Sequence, residues 1–282
     1  MSAMANLRRL AASIPKKGSV LLSFDSSLDL ATISLSSPQS KNALSPSMMV
    51  DFVDVVAEVR RARPAYLILE GSNGAFCSGA DIGIARDALM SKEGGRCMQS
   101  VMSEASNCIR DMDTISFAAV DGAACGGGAE LTTCCDFRVL GRSAGARTSR
   151  IEFVQAKMGV TTGWGGGRRL CDIVGHRPAL RFLLGLEEVS ADNPSAALRS
   201  GLVDWVSPEG TTASAFVADM IRGTLGGVNT RVALGMKKLT TRRPAGAVEE
   251  EEEEAKLFES HWNEEPHRKA FDRAMEMKKK RR

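Results

Sequence analysis

The chain is poor in histidine, with only His176, His261 and His267 in 282 residues. None of the three falls in a motif, which argues against Ser–His–Asp or Cys–His catalysis. No cluster of His, Cys, Asp and Glu has metal-ligand spacing, so no metal is expected. No apolar run approaches the ~20 residues of a bilayer span, so no membrane partner is expected. An excess of one charge is missing too. Lys and Arg number 37 against 34 Asp and Glu, a formal charge of +3, which gives nucleic acid no claim as the main partner. The seven cysteines are odd in number and scattered, and Cys134 adjoins Cys135. That is a poor disulfide framework and fits a reducing compartment, so the cytoplasm is expected.

Length and an ordinary hydrophobic content of 43% suit one large domain, or a core with an appendage. The organising stretch is Cys125-Gly126-Gly127-Gly128-Ala129-Glu130-Leu131, which follows the apolar run Ile115–Val120. Glycine lets backbone pass close to a ligand. The first N–H groups of a helix have no internal partner, and the dipole there favours negative charge. Strand, glycines and helix start therefore make a site for a developing anion, with Glu130 one turn in and able to move a proton. A bare glycine run is also explained by a tight turn that packs a helix on a strand. A second stretch, Phe76-Cys77-Ser78-Gly79-Ala80-Asp81-Ile82, follows another apolar run at 66–69.

The two stretches together resemble the crotonase superfamily, the enoyl-CoA hydratase/isomerase family. There, a Phe-x-x-Gly-x-Asp-Leu/Ile loop and a Gly-Gly-Gly-x-Glu helix start each give one backbone N–H to a thioester oxygen. The resemblance implies Ala80 and Gly127 as donors and Glu130 as the third catalytic residue, with Ser78, Gly79, Asp81 and Gly128 around the substrate. It implies an α/β fold built as a spiral of ββα units. Coenzyme A would be part of the substrate, so no separate cofactor is expected.

Residues 1–17 carry Arg8, Arg9, Lys16 and Lys17 and no acid. They read as a weak mitochondrial transit peptide or as a loose arm. The arm is preferred because Pro15 breaks an amphipathic helix. Residues 29–35 alternate as a half-buried strand does. The loop 36–44 resembles the family segment beside the nucleotide end of coenzyme A, where Lys41 either meets phosphate or is simply solvated. Ser45-Pro46 opens a helix, with an N-cap and proline at the first position and an apolar face of Met49, Phe52, Val53, Val56 and Val59. Residues 83–95 are expected to be mobile, and 96–112 helical.

Residues 151–166 resemble the family segment that carries the second catalytic glutamate of hydratases, a position held here by Gln155. An amide does no acid–base work, and hydration needs two such groups. Thr162 and Trp164 follow in the same segment. Trp164, where hydratases carry a small residue, either shapes the acyl end of the pocket or packs the core. Arg168 and Arg169 are expected to be solvent-exposed. The stretches 126–138 and 158–166, with a late pattern at 253–266, resemble the ethylmalonyl-CoA decarboxylases within the superfamily.

The expected organisation is an arm at 1–17, a core at 18–210 and a helical region with a basic tail at 211–282. Apolar residues such as Phe216, Met220, Leu257, Phe258 and Trp262 are too many for a free appendage, and the resemblance implies a homotrimer or hexamer. Lys237 and Lys238 read as solvated more than as phosphate contacts, and the six acids at 249–254 as a solvated helix start. The favoured function is an acyl-CoA decarboxylase for ethylmalonyl-CoA and methylmalonyl-CoA. The alternatives are an enoyl-CoA isomerase or hydratase, and a silent binding protein that uses its basic tail on RNA.

Overall fold

The computed structural model describes residues 2–81, 83, 92–143, 147–241 and 265. It divides into two units, Met1–Arg222 and Gly223–Arg282. The first unit holds the two sheets. In the larger, strand β1 (Ser19–Asp25) pairs antiparallel with β2 (Leu30–Ser36). Parallel partners follow: β3 (Tyr66–Gly71), β4 (Ile115–Val120), β6 (Phe137–Leu140) and β9 (Trp205–Val206), in the order β1-β2-β3-β4-β6-β9. The smaller sheet joins β5 (Ala123–Cys125), β7 (Arg150–Glu152) and β8 (Val189–Ser190). Every residue of β4 is buried, as expected of a central parallel strand covered on both faces.

Helix α2 (Pro46–Ala62) begins as its sequence demands. Ser45 caps it by accepting the Met48 N–H at 3.3 Å, and proline occupies the first turn. Its apolar stripe buries Met48, Met49, Phe52, Val56 and Val59, while Val53 is only half-buried. Helix α3 (Lys92–Asp111) packs on α2 and buries Val101, Met102, Ala105 and Ile109. Neighbouring parallel strands end at the same edge of a sheet, so the chain leaving β3 and the chain leaving β4 emerge together. That edge is where an open parallel sheet presents its loops for binding.

Several expectations need correction. Residues Ala3–Ala12, expected as a loose arm, form helix α1, capped by Ser2 and packed on α2 and α3 with Leu7 fully buried. Pro15 lies beyond its end, so it limits the helix without preventing it. The helix Ala213–Arg222, expected with the C-terminal region, packs on β3, β4 and β6, and the division of the chain falls after it. In the second unit, the helix Thr230–Thr240 buries Lys237, which is therefore not a solvated lysine. The segment 84–91, the acids at 249–254, the apolar residues Leu257, Phe258 and Trp262, and the basic tail lie outside the described residues.

Candidate active site

The first part of the site is the loop after β3. Cys77 makes an isolated parallel bridge with Ala124 of β5, and Ala80 makes one with Leu44. The Leu44 N–H donates to the Gly79 carbonyl at 2.7 Å, and the Asp81 N–H donates to the Leu44 carbonyl at 2.9 Å. Those bonds use the peptides on either side of Ala80 and turn its own N–H away from Leu44. Lys41 lies in this neighbourhood through its main chain, since its carbonyl accepts the Ser78 N–H at 3.1 Å. Its φ of +52° belongs to the left-handed region. Asn42 ties the same loops together, bonding the Ser37 N–H and the carbonyls of Ser72 and Ala75.

The second part is helix α4 (Gly127–Thr132), entered through Gly126. The helix reaches the first loop only because its second residue lacks a side chain. A Cβ on Gly128 would fall 2.0 Å from the Cys77 carbonyl oxygen. In the same contact, a Cβ on Gly79 would fall 3.1 Å from the Gly127 nitrogen. The 79–80 turn thus lies against the first N–H of α4. Among the described residues neither the Ala80 nor the Gly127 N–H has an acceptor. The geometry brings together two unpartnered peptide donors, one from the loop after β3 and one from the start of α4. It is an arrangement suited to one oxygen that gains negative charge.

Glu130 is 2% exposed, and its carboxylate is fully engaged. Gln155 Nε2 donates to Oε1 at 2.9 Å and the Gly163 N–H to Oε1 at 3.2 Å; the Trp164 and Gly166 N–H groups donate to Oε2 at 2.7 and 3.0 Å. A carboxylate offers about four lone-pair sites, so these four donors fill them. The loop 163–166 is wound around Glu130, and helix α5 (Gly166–Val174) starts from it. Gln155 is thus in direct contact with Glu130. Its Oε1 is buried and has no partner among the described residues. Glu152 is directed elsewhere, toward Lys157 at 3.1 Å and Arg150 at 3.9 Å.

Trp164 is 3% exposed. Its indole fills the space a side chain at Gly127 would need, with Cζ3 only 2.6 Å from where a Cβ would stand. Trp164 thus packs in the interior, against Gly127. Thr162 rests against Gly167, whose Cβ would fall 2.5 Å from the threonine Oγ1. Asp81 is buried and pairs with Lys17 Nζ at 2.9 Å.

Arg169, expected at the surface, is fully buried, whereas Arg168 is exposed. Its guanidinium donates to Thr133 Oγ1 (3.0 Å), Asn107 Oδ1 (3.1 Å) and the carbonyls of Glu130 (3.2 Å) and Trp164 (2.8 Å). Burial pulls its pKa down, while the nearby Cys134 and Glu130 oppose that shift. Arg169 thus clamps α3, α4 and the Trp164 loop together. Burial also pushes the Cys77 thiol up to about 12, so it is an inert thiol within the first loop. Among the described residues no group of His, Cys, Asp and Glu is arranged to hold a metal, and no helix is long and apolar enough to cross a membrane.

The family described as enoyl-CoA hydratase/isomerase matches residues 25–281. Ethylmalonyl-CoA decarboxylase of Xenopus laevis is 36% identical over 176 residues, covering 62% of this chain and 56% of that protein. The Danio rerio protein of that name is 35% identical over 215 residues, covering 73% of this chain and 68% of its own length. The chain thus matches little more than half of the Xenopus relative. Among solved structures, enoyl-CoA hydratase from Bacillus anthracis superposes with a TM-score of 0.77 at 20% identity, over 92% of this chain and 96% of that one. The Geobacillus kaustophilus structure gives 0.78 at 22% identity, over 93% and 95%. The α/β fold with a helical C-terminal region is that of these structures.

Proposed function

The chain belongs to the enoyl-CoA hydratase/isomerase family, and from that premise we propose that it is an acyl-CoA decarboxylase acting on ethylmalonyl-CoA and methylmalonyl-CoA. The observation that carries this reading is the meeting of two unpartnered N–H groups, Ala80 and Gly127, beside an engaged Glu130 and an amide at Gln155. The thioester oxygen accepts both donors. The bond between the α-carbon and the carboxylate breaks, its electron pair moves into the thioester, and CO2 leaves. The oxygen then carries the enolate charge, and each donor aimed at it is worth about 3–4 kcal/mol of barrier. The α-carbon finally takes one proton to give the saturated thioester.

Glu130 would have to give up one of four N–H bonds to supply that proton. In this reading it anchors the Trp164 loop, and water delivers the proton, with Gln155 Oε1 available to accept a hydrogen bond near it. Hydration of an enoyl thioester is disfavoured, because only one carboxylate stands where two are needed. The isomerase alternative needs a mobile proton on Glu130 and meets the same obstacle. Lys41, Ser78, Gly79, Asp81, Gly128, Thr162 and Trp164 form the substrate surroundings in this proposal. Trp164 limits the acyl end.

A homotrimer or hexamer belongs to the same reading. Leu180, Leu184 and Leu186 are 46%, 51% and 70% exposed, and such a group of apolar side chains is suited to a partner subunit. Sedimentation showing only monomer at micromolar concentration counts against it. A cytoplasmic location also remains part of the proposal. The test of function is a panel of ethylmalonyl-CoA, methylmalonyl-CoA, crotonyl-CoA and a 3-enoyl-CoA, with CO2 release and double-bond change both followed. CO2 from the malonyl thioesters with negligible change in the enoyl substrates is expected. Fast hydration or isomerisation without CO2 overturns the reading.

A further inference from the structure

Resting on the thioester reading above, we propose that Lys17 is a positioning residue for the Ala80 donor, acting through Asp81, and that helix α1 is the strap that delivers it. Three basic side chains of the N-terminal segment pair with acids of the rest of the fold. Arg8 pairs with Asp54, and Lys16 pairs with Asp51 at 3.1 Å. Both of those acids lie on α2, and both pairs are well exposed at their basic ends. The third pair is of another kind. Lys17 reaches Asp81 at 2.9 Å, where the carboxylate side chain is only 8% exposed and the lysine 34%.

The lysine is held before it reaches. Its carbonyl accepts the Ser45 hydroxyl at 2.9 Å, and Ser45 is the cap of α2. The next residue is wedged against α2, since a Cβ on Gly18 would fall 2.5 Å from Met48 Sδ. Upstream, α1 is tied down by the buried Leu7 and by Cys97 Sγ donating to the Ala3 carbonyl at 2.8 Å. With its backbone fixed at both sides, Lys17 loses less freedom in making the pair than a free surface lysine does.

The consequence falls on the neighbouring peptide. Residues 79–81 are pinned on one side by the main chain of Leu44. Lys17 holds the Asp81 side chain, and this pair is not the residue's sole interaction. The Ala80 N–H lies between these two restraints. Removing Lys17 takes a cation from a nearly buried carboxylate, and the loop relaxes by moving Asp81 toward water. The donor one residue away then loses its aim.

The test uses the full chain with Lys17→Met, which keeps most of the stem, with Lys17→Arg as rescue and Lys16→Met as the control on an exposed pair. Hydrogen exchange of the 76–81 segment is compared with that of 127–132. In parallel, kcat and KM are measured with ethylmalonyl-CoA, and Tm is recorded. Faster exchange confined to 76–81 is expected for Lys17→Met, with kcat lowered roughly tenfold to a hundredfold, KM changed less, recovery by Lys17→Arg and no effect of Lys16→Met. Unchanged exchange at 76–81, or a lower Tm with kcat intact, overturns the proposal. If the unmodified protein releases no CO2 from either malonyl thioester, the decarboxylase reading falls, and the exchange comparison still decides whether Lys17 holds the loop.

Discussion

The two peptide donors stand side by side, yet the stretches that carry them are held in opposite ways. The Ala80 loop is fixed from outside by Leu44, Ala124 and Lys17, all from other segments. The Gly127 helix is fixed from within by one buried carboxylate that gathers the N–H groups of Gly163, Trp164 and Gly166. The first arrangement spreads its restraints over many weak bonds, so it should yield gradually. The second concentrates them on Glu130 and should fail together.

The sharpest break is Gly127→Pro. It removes the N–H and also pushes a ring into the Trp164 indole, so turnover should fall by about 10²–10³ or more. Gly127→Ala keeps the N–H and only adds bulk. Its loss should be partly recovered by pairing it with Trp164→Ala, as measured by kcat in the double variant. No recovery would mean that the indole is not what crowds that position.

Next comes Glu130→Gln. The amide turns an NH2 group toward backbone donors, leaving buried N–H groups unsatisfied at about 1–3 kcal/mol of stability. Urea unfolding should show that loss together with reduced turnover. A drop in turnover with stability intact would instead make Glu130 the proton donor.

Gln155→Glu sharpens the same point by pH. Two carboxylates at the present 2.9 Å contact cannot both ionise cheaply, so one has its pKa raised in the folded protein. A raised folded pKa gives stability that is present at low pH and lost as pH rises through it. The variant should therefore melt closer to the unmodified protein at pH 5 than at pH 8, and thermal scans across that range read the difference directly. The smallest effect belongs to the buried thiol of the first loop. With its pKa near 12, Cys77 should resist iodoacetamide at pH 8 in the folded protein, as peptide mass spectrometry would show.

Much of this site could be read along the chain because its parts are local. The strands Ile115–Val120 and Phe137–Leu140, the capped helix after Ser45 and both glycine stretches announce themselves through periodicity or punctuation within a few residues. What escaped was set by distant partners. Arg169 is buried because Asn107, Thr133 and two carbonyls converge on it, and none of them is near it in sequence except Trp164. The short strands β5, β7 and β8, two or three residues each, are too brief to show a period. Helix α1 is masked in the sequence by Pro15, which stands just past its end. The cap at Ser2 and the apolar positions Leu7 and Leu10 were the available signal.

The tight seats of two glycines carry a consequence for how this chain can change. The place of a side chain at Gly127 is taken by the Trp164 ring, and the place of one at Gly166 by the Cβ and Cγ of Glu130, both at 2.5 Å. Each glycine is thus locked to a large neighbour, and neither member of a pair can be replaced freely while the other stays. Random single substitution at the two glycines should be nearly barren; because the Glu130 Cα itself stands 2.8 Å from a Cβ on Gly166, only libraries that vary Gly127 with Trp164 should hold survivors. Any route from this pocket to a roomier one starts with a paired step.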